Sequence, residues 1–285
     1  MAALRLAVVA DIHHGANSLT KLGETALPLL AEFTRFVADA KVDAVLDLGD
    51  RISDVDTATD LRLQAEIAEA FRPIHNIAPL FHVCGNHDRD HLSVAQNEET
   101  LGQSLGHATI DLGDWRVVLW RADSRIRRGA NGPIGFHLDE ADLLWLAGVV
   151  RQADRPLLVV SHVPLSGHSQ ISNYYFERNP QLSTYPGADR ARAVLRAAKV
   201  PVACIAGHVH WNTLTVVDGI PHITMQSLTE SFTCHPEPTA AWGLLELDTR
   251  IVLDVFGRDP FAVRLDTATA GRRWVTPLAP FGERG

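Results

Sequence analysis

Residues 79–88 read Pro-Leu-Phe-His-Val-Cys-Gly-Asn-His-Asp, an apolar stretch that runs directly into a glycine and three polar side chains. Asn, His and Asp are mostly exposed or hydrogen-bonded in folded proteins. Three of them in succession at the end of a predicted strand are poor core material and indicate a functional loop. This stretch therefore predicts a strand whose carboxyl end carries part of a site.

Four further apolar runs end in the same way. The runs and the residues that follow them are 4–10 with Asp11 and His13, 44–48 with Asp50, 157–160 with His162, and 202–206 with His208 and His210. Residues two apart in an extended segment point to the same side, so each of the two closely spaced pairs can face one centre. Five strand ends thus predict a single site.

The side chains at these strand ends indicate metal binding. Carboxylate, amide and imidazole ligands together suit Zn, Fe, Mn or Co, whereas Ca²⁺ prefers oxygen ligands alone and structural zinc prefers cysteine. A single His-x-His pair would be weak evidence, but all five blocks agree. The residues at the five strand ends therefore predict a site for such metals.

Composition limits the classes of function. The chain has 285 residues, 46% of them hydrophobic, and a formal net charge of −8, which makes nucleic-acid binding unlikely. Its three cysteines form no Cys-x-x-Cys pair, which argues against a disulfide scaffold and favours a reducing, cytoplasmic location. We predict no membrane span, since no apolar run approaches the necessary ~18 residues.

Alternating strands and helices predict an α/β fold with a single domain over residues 1–285. The predicted helices cover about 22–40, 57–71, 138–152 and 189–199, with hairpins at 108–120 and around 218–219 and strands at 241–247 and 251–256. Residues 164–188 lack periodicity, and we interpret this 164–188 insertion as a cover over the substrate. A short extension without a motif is predicted from about residue 258.

The five blocks in this order resemble the calcineurin-like metallophosphoesterase family. The resemblance spans about residues 4–250 and implies a four-layer α/β-β/α sandwich of two mixed sheets flanked by helices. It also implies a ligand set: Asp11, His13 and His210 for the first metal, Asn86, His162 and His208 for the second, and Asp50 as a bridge. A metal-bridging hydroxide is then the expected nucleophile.

The resemblance gives His87 a catalytic role, in which it stabilises the transition state or protonates the leaving group. We predict that Asp88 accepts a hydrogen bond from the other ring nitrogen of His87 and so orients it. A small-molecule phosphoester is the expected substrate, and the family likeness makes a homodimer reasonable.

Differences between these motifs and those of other subgroups of the family narrow the predicted subgroup. Asp50 is followed by Arg-Ile rather than the Arg-Gly of the protein phosphatases, and the fourth block ends in Asp88 rather than Glu. The chain is most similar to the class III cyclic-nucleotide phosphodiesterase and glycerophosphodiesterase group. A phosphomonoesterase is the alternative enzyme, and a non-catalytic protein-binding scaffold is the alternative outside enzymology.

Overall fold

Two six-stranded sheets form the framework of the chain, in a computed structural model that describes residues 3–166 and 170–271 and the positions 275, 278, 279 and 282. The strands are β1 (Leu4–Val9), β2 (Ala44–Asp47), β3 (Leu80–His82), β4 (Ala108–Leu112), β5 (Trp115–Leu119), β6 (Arg127–Gly129), β7 (Gly132–Gly135), β8 (Leu157–Val160), β9 (Val202–Ala206), β10 (Thr213–Val217), β11 (Ile220–Thr224), β12 (Trp242–Leu247), β13 (Arg250–Phe256) and β14 (Phe261–Asp266). The helices are α1 (Ala26–Ala40), α2 (Thr57–His75), α3 (Val94–Leu101), α4 (Glu140–Arg151), α5 (Ala188–Arg196) and α6 (Thr267–Ala270).

The first sheet has the order β14-β13-β12-β1-β2-β3, and the second has the order β10-β11-β9-β8-β5-β4. Strands β1, β2 and β3 are parallel, as are β5, β8, β9 and β11, while the remaining neighbours are antiparallel. Both sheets are therefore mixed. Strands β6 and β7 form a separate small hairpin.

Four layers follow from the way the strands alternate their side chains. In β1, Leu6 and Val8 join the core between the two sheets, whereas Ala7 and Val9 face the core under α1 and α2. The outer face of the second sheet packs in the same way on α4 and α5. The predicted α/β-β/α sandwich is confirmed.

Most predicted elements are present, with shifts at their ends. Helix α1 begins at Ala26 after a 3₁₀ turn at Gly23–Thr25, and α2 runs through Pro73 to His75 instead of ending before the proline. Asp139 caps α4 as predicted, by accepting a hydrogen bond from the Ala141 backbone N–H at 3.0 Å. All three cysteines are free.

Several elements were not predicted, including the short helix α6. Helix α3 starts with a reciprocal cap between Ser93 and Gln96, the small hairpin β6–β7 follows the strand β5, and β14 adds an edge strand to the first sheet. Within the extension predicted from about residue 258, residues 261–266 form this edge strand. Positions 272–274, 276, 277, 280, 281 and 283–285 of the extension lie outside the described residues, as do positions 167–169 of the 164–188 insertion.

The fold positions the five motif blocks at one place. Strands β1, β2 and β3 of the first sheet and β8 and β9 of the second all end, at their carboxyl ends, in one of the blocks. Among the described residues, no helix is long and apolar enough to cross a membrane.

Candidate metal centre

The seven predicted ligands converge into two adjacent groups. Ligand atoms of the first group, and likewise those of the second, lie within 4.8 Å of one another. The first group is Asp11, His13, Asp50 and His210, and the second is Asp50, His162 and His208. Asn86 joins the second group, because its Oδ1 lies 3.3 Å from Nε2 of His162. Asp50 is common to both.

Donor atoms of the first group point at a common centre. Nε2 of His210 lies 2.9 Å from Nε2 of His13 and 3.4 Å from Oδ1 of Asp11. Ligand atoms bound to one ion at about 2.1 Å stand roughly 3.0–3.4 Å apart, so these spacings fit a shared cation. The donor set of two imidazoles and two carboxylates suits the transition metals named above.

A single oxygen of Asp50 links the two groups. Oδ2 of Asp50 lies 3.8 Å from Nε2 of His13 and 3.4 Å from Nε2 of His162. Its other oxygen, Oδ1, accepts a hydrogen bond from the His87 backbone N–H at 2.8 Å. The geometry therefore leaves Oδ2 available to both groups, which is the position a bridging carboxylate requires.

Hydrogen bonds to the outer ring nitrogens orient three of the four histidines. The accepting atoms are the Leu48 carbonyl for Nδ1 of His162 at 2.8 Å, the Glu230 carboxylate for Nδ1 of His210 at 3.0 Å, and the Leu182 carbonyl for Nε2 of His208 at 2.7 Å. Such partners fix which nitrogen can bind a metal. The buried Nδ1 of His208 has no hydrogen-bond partner among the described residues, as expected of a ligand atom.

The buried carboxylates create a field that favours positive charge. Burial disfavours protonation of His162, but the Asp50 carboxylate outweighs it and raises the pKa of His162 to about 9. In the same way, Asp11 and Glu230 overcome burial and raise the pKa of His210 to about 9. His208 differs, since burial and the nearby His162 lower its pKa to about 3. Without a metal, these carboxylates stabilise a proton on His162 and on His210. A bound cation would supply this positive charge in place of the protons.

Backbone strain is concentrated at these ligands. Five of the seven have a positive φ, which non-glycine residues adopt only rarely. They are Asp11 (52°), His13 (49°), Asp50 (55°), His208 (70°) and His210 (49°). Such conformations each cost about 1–3 kcal/mol and cluster at functional sites, where the surrounding structure holds them in place.

Two glycines allow the strand-end loops to touch the carboxylates. A Cβ atom on Gly85 would lie 2.0 Å from Oδ1 of Asp50, and one on Gly207 would lie 2.5 Å from Oδ2 of Asp11. Both contacts are too short for any side chain. These glycines are therefore needed for close approach to the ligands.

A buried ionic network lies beneath the centre. The fully buried Arg51 donates from Nη1 to Oδ2 of Asp47 and to the Val83 carbonyl, both at 2.8 Å, and its Nη2 lies 3.1 Å from Oδ2 of Asp88. The Asp47 carboxylate is destabilised by burial, but the charge of Arg51 lowers its pKa overall. Arg51 thus ties the loop after β2 to the loop after β3.

Asp88 has a different role from the one predicted. Its carboxylate accepts hydrogen bonds from the backbone N–H groups of Gly85, Asp50 and Arg51 at 2.8–2.9 Å, and it is fully buried. The prediction that Asp88 orients His87 is wrong. Adjacent residues in this turn point to opposite sides, so Asp88 enters the interior while His87 faces outwards.

His87 lines the open side of the centre and is oriented by Asp54. Nδ1 of His87 is hydrogen-bonded to the Asp54 carboxylate, and the His87 ring packs edge-on against His13 with the ring centroids 4.8 Å apart. Nε2 of His87 lies 3.3 Å from Nζ of Lys21. Asp54 is thus the partner that the sequence prediction had assigned to Asp88.

A cavity of about 260 Å³ opens over both groups of ligands. Its floor includes Asp50, Asn86, His87, His208 and His210, and one wall comes from Tyr174, Tyr175, Phe176 and Leu182. That wall belongs to the 164–188 insertion, so described residues of the insertion form one side of the cavity. Phe176 is buried against the His208 ring, with centroids 5.1 Å apart, whereas Tyr174 and Tyr175 are exposed.

Another cluster of potential ligands lies near the mouth of the cavity. It comprises Asp54, Asp90 and His91. Its carboxylates already have partners, since Asp54 pairs with His87 and Asp90 pairs with Arg128 at 2.5 Å. We therefore assign no ion to it.

Several contributors to the site carry no motif. Arg51, Asp54 and Glu230 act through contacts with residues 20 to 37 positions away, and the Leu182 contribution is a main-chain carbonyl. The only sequence signal for Asp54 is its position four residues after Asp50 in an acidic, polar loop. Glu230 and the Leu182 carbonyl have no local signal at all.

Comparison with known families identifies the family to which this chain belongs. A model described as calcineurin-like phosphoesterase matches residues 4–212, well over half of the chain, and this range contains all seven ligands. The chain belongs to the calcineurin-like phosphoesterase family. Membership in this family, together with the two groups of Asp and His ligands, supports a dimetal centre and phosphoester hydrolysis.

Solved structures share the fold of this calcineurin-like phosphoesterase at low identity. A dimetal phosphatase from Danio rerio superposes with a TM-score of 0.72 at 17% identity, covering 94% of this chain and 100% of that one. GAP50, the anchor in the inner membrane complex of Plasmodium, superposes with a TM-score of 0.54 at 15% identity, covering 93% of this chain and 89% of that one. A search of curated proteins finds no match.

Metal binding should stabilise the protein measurably. A free metal concentration of 100 times Kd should raise the free energy of unfolding by about 2.7 kcal/mol, because the ion binds the folded chain alone. Asp50→Asn removes the shared charge at nearly constant size, and we expect it to bind fewer than two ions per chain. Thermal unfolding with added Mn²⁺ or Zn²⁺ and metal analysis by mass spectrometry measure both effects.

The matched control is Asp154→Asn, an exposed carboxylate at the opposite, amino-terminal end of β8. This variant should bind metal like the unmodified chain. Retention of two ions by Asp50→Asn would contradict the bridging position of Asp50.

Asp88 and Asp54 have different partners, so removing each carboxylate should lower the free energy of unfolding by a different amount. Asp88→Ala leaves three buried N–H groups and Arg51 without their acceptor, so it should lower the free energy of unfolding by about 3–5 kcal/mol. Asp54→Ala breaks a partly exposed pair and should cost about 1 kcal/mol or less. Urea unfolding of both variants tests this, and equal costs would contradict the assignment.

Proposed function

We propose that this protein is a dinuclear metal-dependent phosphodiesterase that acts on a small molecule. The observation that carries the proposal is the arrangement of seven ligands in two groups that share one oxygen of Asp50 at the floor of an open cavity. A structural metal site would be closed by protein ligands, whereas this one faces a space that a substrate can enter.

Each ion has a proposed ligand set. Asp11, His13 and His210 hold the first ion, Asn86, His162 and His208 hold the second, and Asp50 bridges them. The neutral oxygen of Asn86 leaves the second ion less neutralised than the first. When bound, two such ions supply an activated water and neutralise charge on a phosphoester. The ligands suit Mn, Fe, Zn or Co, and which metal occupies such a site depends on availability as well as on affinity.

His87 is the proposed catalytic side chain that is not a ligand. It faces the cavity beside His13, and its Nδ1 is engaged by Asp54, so its Nε2 is the nitrogen presented to substrate. In that position it stabilises charge on the phosphoryl group or protonates the leaving alkoxide. Asp54 positions His87 by fixing its ring orientation.

The cavity walls favour a substrate with a flat or apolar leaving group. Tyr174 is 54% exposed and stacks on Phe232 at 6.0 Å, and Tyr175 is 45% exposed at the same wall. Exposed aromatic faces beside a phosphate site are typical of nucleobase recognition. Within the class III cyclic-nucleotide phosphodiesterase and glycerophosphodiesterase group, this favours a cyclic nucleotide as the substrate. A glycerophosphodiester also fits a cavity of about 260 Å³.

Two other functions have specific support. A phosphomonoesterase would use the same ligands, and the similar Danio rerio structure is described as a phosphatase. A protein-binding scaffold is the non-enzymatic alternative, because GAP50 of Plasmodium, described as an anchor, has the same fold. The complete ligand set argues against the scaffold, since a binding surface has no need for strained buried ligands.

Substrate preference separates the two enzymatic functions. The Mn²⁺-reconstituted protein should hydrolyse bis-p-nitrophenyl phosphate with a higher kcat/KM than p-nitrophenyl phosphate, and cyclic nucleotides with a higher kcat/KM than glycerophosphodiesters. Asp50→Asn serves as the inactive control. A preference for the monoester would favour the phosphomonoesterase, and no turnover of any ester with metal bound would favour the scaffold.

The leaving group tests the role of His87. His87→Ala should lower kcat about 10²–10⁴-fold for a diester with an alkyl leaving group, because general acid catalysis contributes that much. The loss should be much smaller for bis-p-nitrophenyl phosphate, since p-nitrophenolate leaves without a proton. Steady-state kinetics on both esters measure the ratio. Equal losses on the two substrates would exclude a proton donor.

A further inference from the structure

A tight turn places Lys21 at the cavity. Ser18 and Lys21 exchange two backbone hydrogen bonds, at 2.8 and 2.9 Å, and Leu19 and Thr20 form the tip between them. The turn is fastened to the segment that carries Glu230, because the Ser231 N–H donates to the Thr20 carbonyl at 2.9 Å. The main chain at Lys21 is thus fixed without help from its side chain.

The ammonium group of Lys21 points at the site. Nζ donates to Nε2 of His87 at 3.3 Å, and no carboxylate oxygen among the described residues lies within 4.0 Å of it. Asp54 and Glu230 also line the cavity, but their carboxylates are paired with His87 and His210 respectively. Lys21 is half-buried and lines the cavity.

Arg128, unlike Lys21, is paired with a carboxylate. Together with Lys21 it supplies the Lys and Arg side chains that line the cavity in the described part of the chain. Its Nη2 is paired with Asp90 at 2.5 Å, so much of its charge is neutralised. Lys21 has no such counter-charge. Its ammonium group is therefore available for a charge-assisted hydrogen bond to an incoming anion.

We propose that Lys21 binds an anionic oxygen of the substrate's phosphoryl group and of the phosphate product. The proposal rests on the proposed function, since it assigns a phosphoryl group to the cavity. The ammonium group of Lys21 stands on a flexible four-carbon stem, so it can turn from Nε2 of His87 to a phosphoryl oxygen and leave Nε2 free to face the substrate. Its position beside His87, whose ring packs on His13, puts the oxygen next to the ligands of the first group.

The contact with Lys21 also helps to hold the His87 ring. Asp54 contacts Nδ1 of His87, and Lys21 contacts Nε2. Lys21 therefore holds the His87 ring from the side opposite Asp54. Loss of Lys21 should then affect phosphate binding first and the turnover step second.

The test uses inorganic phosphate as the probe with the metal-loaded, full-length protein. Lys21→Met keeps the length of the side chain and removes its charge, and Lys21→Arg restores the charge. Lys199→Met is the matched control, because Lys199 is exposed and precedes β9 at its amino end, opposite the site. Calorimetry gives the Kd for phosphate, metal analysis gives ion content, and kinetics give kcat and KM separately.

Lys21→Met should weaken phosphate binding about 10- to 100-fold, as expected for one charge-assisted hydrogen bond. Its KM for bis-p-nitrophenyl phosphate should rise more than its kcat falls, and its metal content should stay unchanged. Lys21→Arg should recover most of the affinity, and Lys199→Met should match the unmodified chain. Unchanged phosphate affinity in Lys21→Met, or no phosphate binding by the unmodified chain, would overturn the proposal.

The outcomes for Lys21 and for the proposed function can be told apart. Phosphate binding that depends on Lys21 in a protein that hydrolyses no ester would leave the Lys21 site standing and refute the phosphodiesterase. Ester hydrolysis with a Lys21→Met variant that binds phosphate normally would refute the Lys21 site alone.

Discussion

One oxygen of the Asp50 carboxylate lies between two groups of imidazole and oxygen donors, and the rest of the site is arranged so that it can stay there. Oδ2 is within 3.8 Å of a ring nitrogen from each group, while Oδ1 is held by the His87 N–H. Asp50 is fully buried and has a positive φ. Two cations in contact would repel each other strongly, and a shared negative charge is what allows both to bind.

The position of Asp50 depends on contacts beneath it. Its own N–H donates to Asp88, and the same carboxylate accepts from Gly85 and Arg51. Arg51 in turn joins Asp88 to Asp47. A buried ion network of this kind contributes little net stability compared with apolar packing, but it is costly to break, and here it fixes the register of two loops. The network therefore sets the distance between the two metal groups.

The ligands could be predicted because their chemistry is local in sequence. Each follows an apolar strand, and parallel strands bring their carboxyl ends to one edge, so Asp11 and Asp50 meet although they are far apart in the chain. The four layers are what the family resemblance implies. The start of helix α3 also carries a local signal, because Ser93 and Gln96 form a capping box.

Contacts between distant segments could not be predicted. Asp54 reaches His87 and Glu230 reaches His210 through folds of the chain that no short pattern encodes. Asp88 was misassigned because neighbours in sequence were taken as neighbours in space, whereas the turn after Gly85 sends their side chains apart. The edge strand β14 does carry a local signal, because Phe261, Val263 and Leu265 alternate with exposed side chains.

The most direct measurement of the central claim is anomalous X-ray diffraction from crystals of the metal-loaded protein. The account predicts two peaks about 3.5–4 Å apart on either side of Asp50, one within reach of His13 and the other within reach of His162. A single peak, or a peak at Asp54, Asp90 and His91 instead, would contradict it.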